Sequence, residues 1–108
     1  MSGGLASRRK GMSGEYEVRD ILRDHGYEAR RGDQRGEHKE ADVETTLPGF
    51  HLEVKRQEKT EIWKWFRQAD DDLPPDDDET IPAVVFRRSR SPWMVCLRFE
   101  DLLDLLER

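Results

Sequence analysis

The sequence has few of the features that mark secreted, membrane-spanning or zinc-binding domains. A single cysteine, Cys96, excludes an internal disulfide framework, and we expect it to be a buried strand residue and not a nucleophile. No apolar run approaches the roughly 20 residues that a membrane helix needs, and the first residues lack the apolar core of a secretory signal. The three histidines are too scattered for a zinc site. These features predict a cytoplasmic protein.

Charge is plentiful, and its distribution matters more than its total. The net charge of −5 argues weakly against a nucleic-acid partner. Residues 69–80, however, hold seven acids and no base, so the rest of the chain has a small basic excess. Local basic clusters therefore favour nucleic acid. We expect a single domain at 1–108, with a basic N-terminal arm at 1–10 and an exposed acidic loop at 70–80 that would keep DNA off the wrong face.

Hydrophobic periodicity predicts eight elements of secondary structure. Helical spacing indicates helices at 13–25, 61–70 and 99–107. Strands are expected at 27–31, in the two arms of a hairpin at 42–55, at 81–87 and at 93–98. The order α-β-β-β-α-β-β-α predicts an α/β fold, a mixed sheet of about five strands flanked by helices. We expect the last helix to pack four leucines against this sheet: Leu102, Leu103, Leu105 and Leu106.

The hairpin at 42–55 indicates a site. Side chains alternate along a strand, so His51, Glu53 and Lys55 share one face of its second arm. Asp42, on the first arm, can approach Glu53 across the ladder. Two carboxylates beside a lysine form a site for a hard divalent cation. His51 could touch this site, although a packed or solvent-facing histidine is the commoner outcome.

We expect this site to hold Mg²⁺, with Mn²⁺ able to replace it. Mg²⁺ binds through one or two carboxylates while keeping several waters, and Asp42 and Glu53 meet that requirement. The carbonyl of Val54 could be a further oxygen ligand. Lys55 would orient the attacking water and stabilise the charge that develops on a phosphodiester.

The first helix offers one more acid to the site. Glu15 falls on or beside the apolar stripe that contains Val18 and Leu22, where it could complete the metal shell or help to hold a second metal. A carboxylate that only stabilises the helix N-terminus is the alternative. Glu17, displaced by about 200° around the helix axis, is the competing candidate.

Basic residues flank the proposed site and are the expected phosphate contacts, although each one singly is more often a solvated charge. The residues that we expect to bind DNA are Arg9, Lys10, Arg30, Arg31, Arg35, Arg56, Arg87 and Arg88, with Lys59 and Arg90 as further candidates.

The helix at 61–70 carries more aromatic surface than one core-facing stripe requires. Trp63 and Phe66 lie on one side of it and Trp65 on another. The surplus indicates a partner, most simply a second copy of the chain, so we expect Trp63 and Phe66 at a homodimer interface. Burial of both sides against the domain's own sheet is the alternative.

The spacing of the hairpin residues resembles the core of PD-(D/E)XK nucleases: Asp42, ten intervening residues, then Glu53-Val54-Lys55, with Ala41 in place of the motif's proline. The first part of the chain is similar to archaeal-type Holliday-junction resolvases and their phage relatives. That similarity rests on Lys10-Gly11, Glu15, a helix ending at His25-Gly26-Tyr27, and Arg30-Arg31. The Pro-Pro acidic loop fits the shorter phage variants better than the archaeal enzymes.

The resemblance implies a restriction-endonuclease-like fold and a homodimeric, Mg²⁺-dependent endonuclease that resolves four-way DNA junctions by paired phosphodiester hydrolysis. It places the catalytic glutamate on Glu15, the metal carboxylates on Asp42 and Glu53, the lysine on Lys55 and a basic residue on Arg31. It also implies the cytoplasm of a bacterial or archaeal host and a phage-encoded protein. Two alternatives stay open: a nuclease of the same fold with another DNA substrate, and a catalytically silent nucleic-acid-binding module.

Overall fold

The structure, a computed structural model, describes residues 3–32 and 41–108, with side chains described from residue 13 onward. Its elements follow the predicted order and confirm the α/β fold of a restriction-endonuclease-like domain. They are α1 (Gly3–Asp24), β1 (Ala29–Arg31), β2 (Val43–Thr45), β3 (Phe50–Arg56), α2 (Ile62–Asp71), β4 (Ile81–Arg87), β5 (Met94–Cys96) and α3 (Phe99–Glu107). Within the described ranges, no helix has the length and apolar character needed to cross a membrane.

The five strands form one mixed sheet in the order β1-β2-β3-β4-β5. Only the central pair, β3 and β4, is parallel, because α2 connects them and returns the chain to the same end of the sheet. Helix α1 packs on one face, where Val18 meets Val43 and Val54. Helix α2 packs on the other face, where Trp65 meets Val84. Since Val84 is the register partner of Glu53, the side chain of Glu53 lies on the α2 face.

Helix α1 is longer than the predicted helix at 13–25. It begins at Gly3, so residues 3–10 of the expected arm are helical. Glycines along this stretch conceal the helical pattern, but Gly14 has a packing role inside the helix. A Cβ atom at Gly14 would lie 3.1 Å from Cβ of Arg56 and 3.3 Å from the Trp93 ring, so only glycine lets α1 approach the sheet this closely.

The expectation that α3 packs its leucines against the sheet is wrong. No residue of α3 is buried, and Phe99 and Leu106 are 72% and 73% exposed. The physical reason is a lack of sheet surface: α2 already covers its face of β4, and the terminal strand β5 has only three residues. Helix α3 is therefore amphipathic in sequence, but its apolar face is largely exposed in the structure.

Candidate active site

The two motif carboxylates lie where β2 and β3 separate. In the described part of the chain, a backbone bond at this point joins the Asp42 N–H to the Leu52 carbonyl, at 3.0 Å. The next donor on β3, the Val54 N–H, is instead satisfied by Oδ2 of Asp42 at 2.8 Å. Asp42 is fixed in this way at the edge of β3, close enough to Glu53 to raise the pKa of its carboxyl group.

Glu53 is the most enclosed acid of the site, with a residue exposure of 3%. The pKa of its carboxyl group is raised to about 7. Burial is the largest cause, the hydrogen bond with His51 opposes it, and the adjacent carboxyl groups of Asp72 and Asp42 add to the increase in pKa. A carboxylate that is buried against two other carboxyl groups is costly unless a cation compensates it. The surroundings of Glu53 therefore suit a bound cation.

His51 and Asp72 complete the group around Glu53. Nε2 of His51 lies 3.3 Å from Oε1 of Glu53 and 4.0 Å from Oδ2 of Asp72. Among the described residues, these three form the group of potential metal ligands whose nearest atoms all lie within 4.8 Å of one another. Burial lowers the pKa of His51, but the hydrogen bond with Glu53 and the charges of Glu53 and Asp72 together outweigh it, so the pKa is raised.

Asp72 lies in the run expected to form the acidic loop, and its place beside Glu53 was not predicted. Asp72 is the C-terminal cap of α2. Asp72 lies seven residues after Trp65 and three after Ala69, so all three lie on the helix face toward the sheet. That periodicity was the available signal, but the surrounding run of aspartates concealed it.

Glu15 extends from α1 toward the same edge, where Arg31 donates a hydrogen bond to its carboxylate. Burial raises the pKa of Glu15, Arg31 opposes the change, and the charges of Asp42 and Lys55 add smaller effects of opposite sign. Glu15 therefore lies close enough to both residues to respond to their charges. It does not belong to the compact group formed by His51, Glu53 and Asp72.

Glu17, the competing acid, points to a different set of residues. Its Oε1 accepts a hydrogen bond from Arg87 at 2.8 Å, and its Oε2 lies 3.5 Å from Nε of Arg56. Arg87 also lies over the Trp93 ring, 5.3 Å from its centroid. Glu15 therefore lies near Asp42, whereas Glu17 forms ion pairs with Arg56 and Arg87.

The basic residues expected to bind DNA have different surroundings. Arg56 and Arg87 are half-buried and paired with Glu17, so part of their charge is already neutralised. Arg30, Arg31 and Arg88 are exposed, and Arg31 holds Glu15. The side chains of Arg9 and Lys10, and the whole of Arg35, lie outside the described residues.

The two aromatic residues expected at an interface also differ. Trp63 is 83% exposed. Phe66 is half-buried against the α2-face core, with the Arg98 guanidinium 5.2 Å from its ring centroid. Between them lies an apolar groove of about 530 Å³, the Trp63 groove, lined by Ile62, Trp63, Phe66, Cys96, Leu97, Arg98, Phe99 and Glu100.

A family model covers most of the chain. The model of the family described as "Phage putative PDDEXK endonuclease" matches residues 6–108, nearly the whole chain. No curated protein matches the chain.

Proposed function

Because the chain belongs to the phage PDDEXK endonuclease family, we propose that it is a divalent-metal-dependent DNA endonuclease that resolves four-way junctions as a homodimer. Family membership supports the coarser part, a phosphodiester-hydrolysing nuclease of the PD-(D/E)XK superfamily that acts on DNA. One observation supports particular residues: the Val54 N–H holds the Asp42 carboxylate against the strand that carries Glu53 and Lys55, and the charges of Asp42 and Lys55 both act on the pKa of Glu15.

The residues present fit a divalent cation. Asp42 and Glu53 provide adjacent carboxylates, and the ion-pair partner of Glu53 in the described part of the chain is only the His51 imidazole. Asp42 and Glu53 would hold Mg²⁺ or Mn²⁺, with the Val54 carbonyl and Glu15 as further oxygen ligands. A bound divalent ion supplies a water of lowered pKa and neutralises charge on the phosphodiester.

The protein's own groups position the reaction. The Val54 N–H holds the Asp42 carboxylate in one orientation, and Arg31 holds Glu15. Lys55 follows Glu53 by two residues on β3, so its side chain emerges on the same face. Its ammonium group can donate hydrogen bonds to the attacking water and to a phosphate oxygen, where negative charge increases in the transition state.

Two features support a branched substrate and a second copy of the chain. The exposed Arg30, Arg31 and Arg88 can contact phosphates without reading bases, and shape rather than sequence distinguishes a junction. A two-fold junction is matched by a two-fold dimer, and Trp63 offers an exposed apolar side chain for its interface. Phe66 would contribute from the wall of the Trp63 groove.

A metal titration on two DNA substrates tests the proposal. The wild type and Asp42→Asn are incubated with increasing Mg²⁺ or Mn²⁺ and either a synthetic four-way junction or a linear duplex of matched sequence. We expect metal-dependent cleavage of the junction by the wild type, loss of at least a hundredfold in Asp42→Asn, and wild-type cleavage by Asp104→Asn, an exposed control. Equal cleavage of both substrates would contradict junction selectivity. Junction binding without cleavage would contradict the enzymatic role.

A further inference from the structure

We propose that His51 and Asp72 are ligands of the cation together with Glu53, so that the centre is a mixed nitrogen and oxygen site that binds Mn²⁺ more tightly than Mg²⁺. These ligands belong to the same cation site, and the role of that site in cleavage rests on the proposed function. It goes beyond the motif, because neither His51 nor Asp72 belongs to the Asp-Glu-Lys spacing.

The geometry is close to that of a coordination shell. Ligand atoms that each lie about 2.2 Å from one ion are separated from one another by at most about 4.4 Å. The nearest atoms of His51, Glu53 and Asp72 all lie within 4.8 Å of one another. His51 and Glu53 are fixed on β3, and Asp72 caps α2. Small side-chain rotations are therefore enough to form the shell.

The balance of charge argues against a simple buried ion pair. One imidazolium could compensate one carboxylate, and His51 is buried beside Glu53 with only 8% of its surface exposed. Asp72, however, approaches the same Nε2 atom of His51, at 4.0 Å, and the charge of Asp42 acts on both His51 and Glu53. Three carboxyl groups around one imidazole leave an excess of negative charge that a divalent ion would neutralise.

The nitrogen ligand determines the expected preference among ions. Mg²⁺ takes oxygen ligands and loses its waters reluctantly, so an imidazole contributes little to its binding. First-row transition ions accept imidazole readily, and Mn²⁺ also accepts the carboxylates that make up the rest of the group. Replacing His51 should therefore weaken the binding of Mn²⁺ more than that of Mg²⁺.

Electron paramagnetic resonance of Mn²⁺ bound to the full chain, without DNA, tests the inference. We expect ¹⁴N coupling from one imidazole in the wild type, and its loss in His51→Gln with about tenfold weaker Mn²⁺ binding. His25→Gln is the matched control, because His25 lies exposed at the end of α1 and should not affect the coupling. Asp72→Asn should weaken Mn²⁺ binding about tenfold, and Asp71→Asn, an exposed neighbour, should not.

Absence of ¹⁴N coupling in the wild type, or its persistence in His51→Gln, would overturn the inference. The wild-type spectrum gives this answer even if a variant fails to fold, which circular dichroism would reveal. The readout is also independent of cleavage. Junction cleavage by a protein without nitrogen coupling would remove only this inference, whereas nitrogen-coupled Mn²⁺ in a protein that cleaves no DNA would remove only the proposed function.

Discussion

The Asp42 side chain links to Val54 of β3 beyond the paired part of β2 and β3. Its Oδ2 accepts a hydrogen bond from the Val54 N–H at 2.8 Å, in the place of a backbone carbonyl. The bond fixes the carboxylate next to Glu53. It also satisfies a backbone donor in the middle of the sheet, since Val54 is buried. The same side chain therefore contributes to both the fold and the proposed cation site.

Replacing Asp42 should separate these two contributions. In Asp42→Ala the Val54 N–H loses its partner, which should lower the free energy of unfolding by about 1–2 kcal/mol. Asp42→Asn keeps an oxygen acceptor and should cost less than half as much, while both variants lose cleavage. Urea denaturation and junction cleavage measure the two effects, with Asp104→Ala as the exposed control. Equal destabilisation by alanine and asparagine would show that the Val54 bond contributes nothing.

Glu53→Gln should make the metal-free protein more stable at pH 8. The folded pKa of Glu53, about 7, lies above the unfolded value of 4.5. The folded state therefore binds more protons, and wild-type stability falls as the pH rises from 4.5 to 7. The gap corresponds to on the order of 3 kcal/mol. Glutamine removes this cost, so its advantage should appear above pH 4.5, level off above pH 7 and vanish at pH 4.

Urea denaturation across this pH range, in the presence of a chelator, measures the difference. Glu28→Gln, an exposed residue outside the site, is the matched control and should show no such dependence. An advantage for Glu53→Gln that stayed constant from pH 4 to pH 8 would mean that the charge of Glu53 is not its source.

Cation binding should release protons near neutral pH. The Glu53 carboxyl group must ionise before it can bind a metal, and its pKa is raised to about 7. The affinity for Mg²⁺ or Mn²⁺ should therefore rise between pH 6 and pH 8. Isothermal titration calorimetry at pH 6.5, in two buffers of different ionisation enthalpy, counts the released protons. Identical heats in both buffers would contradict an ionisation of this kind.

Glu15→Gln and Glu17→Gln should have opposite consequences. Glu17 lies between Arg56 and Arg87, so its loss leaves two half-buried cations without their acid and should cost about 1–2 kcal/mol of stability. Glu15→Gln keeps an acceptor for Arg31 but removes charge beside Asp42, so it should lower cleavage with little loss of stability. If Glu17→Gln folded normally but lost cleavage, Glu17 and not Glu15 would be the acid of the active site.

Trp63→Ser should convert the proposed dimer to a monomer. The side chain is 83% exposed in one copy, so its removal costs the fold little but deletes the largest apolar contact offered to a partner. Sedimentation velocity measures the mass, and thermal unfolding of the isolated monomer checks the fold. Phe66→Ala is less informative, because Phe66 also packs on the core. A wild type that sediments as a monomer at all concentrations would refute the dimer.

Local patterns were sufficient for most of the fold. The sequence pattern predicts a strand at 81–87 and a helix at 99–107, and both elements have the predicted bounds. Side chains alternate along β3, so Glu53 and Lys55 lie on one face. This relation could be predicted because it depends on backbone geometry alone. The start of α1 was missed because its glycines suppress helix propensity, whereas the need for Gly14 lies in a contact with residues far along the chain.

What the sequence by itself determined is the set of elements and the side chains that share each face, since both follow from short-range periodicity. What only the tertiary structure decided is which of those side chains meet. It paired Glu17 with Arg87, 70 residues away, brought Asp72 from the end of α2 to His51, and left α3 uncovered. Such pairings depend on how helices cross the sheet, and packing over long sequence separations determines that crossing.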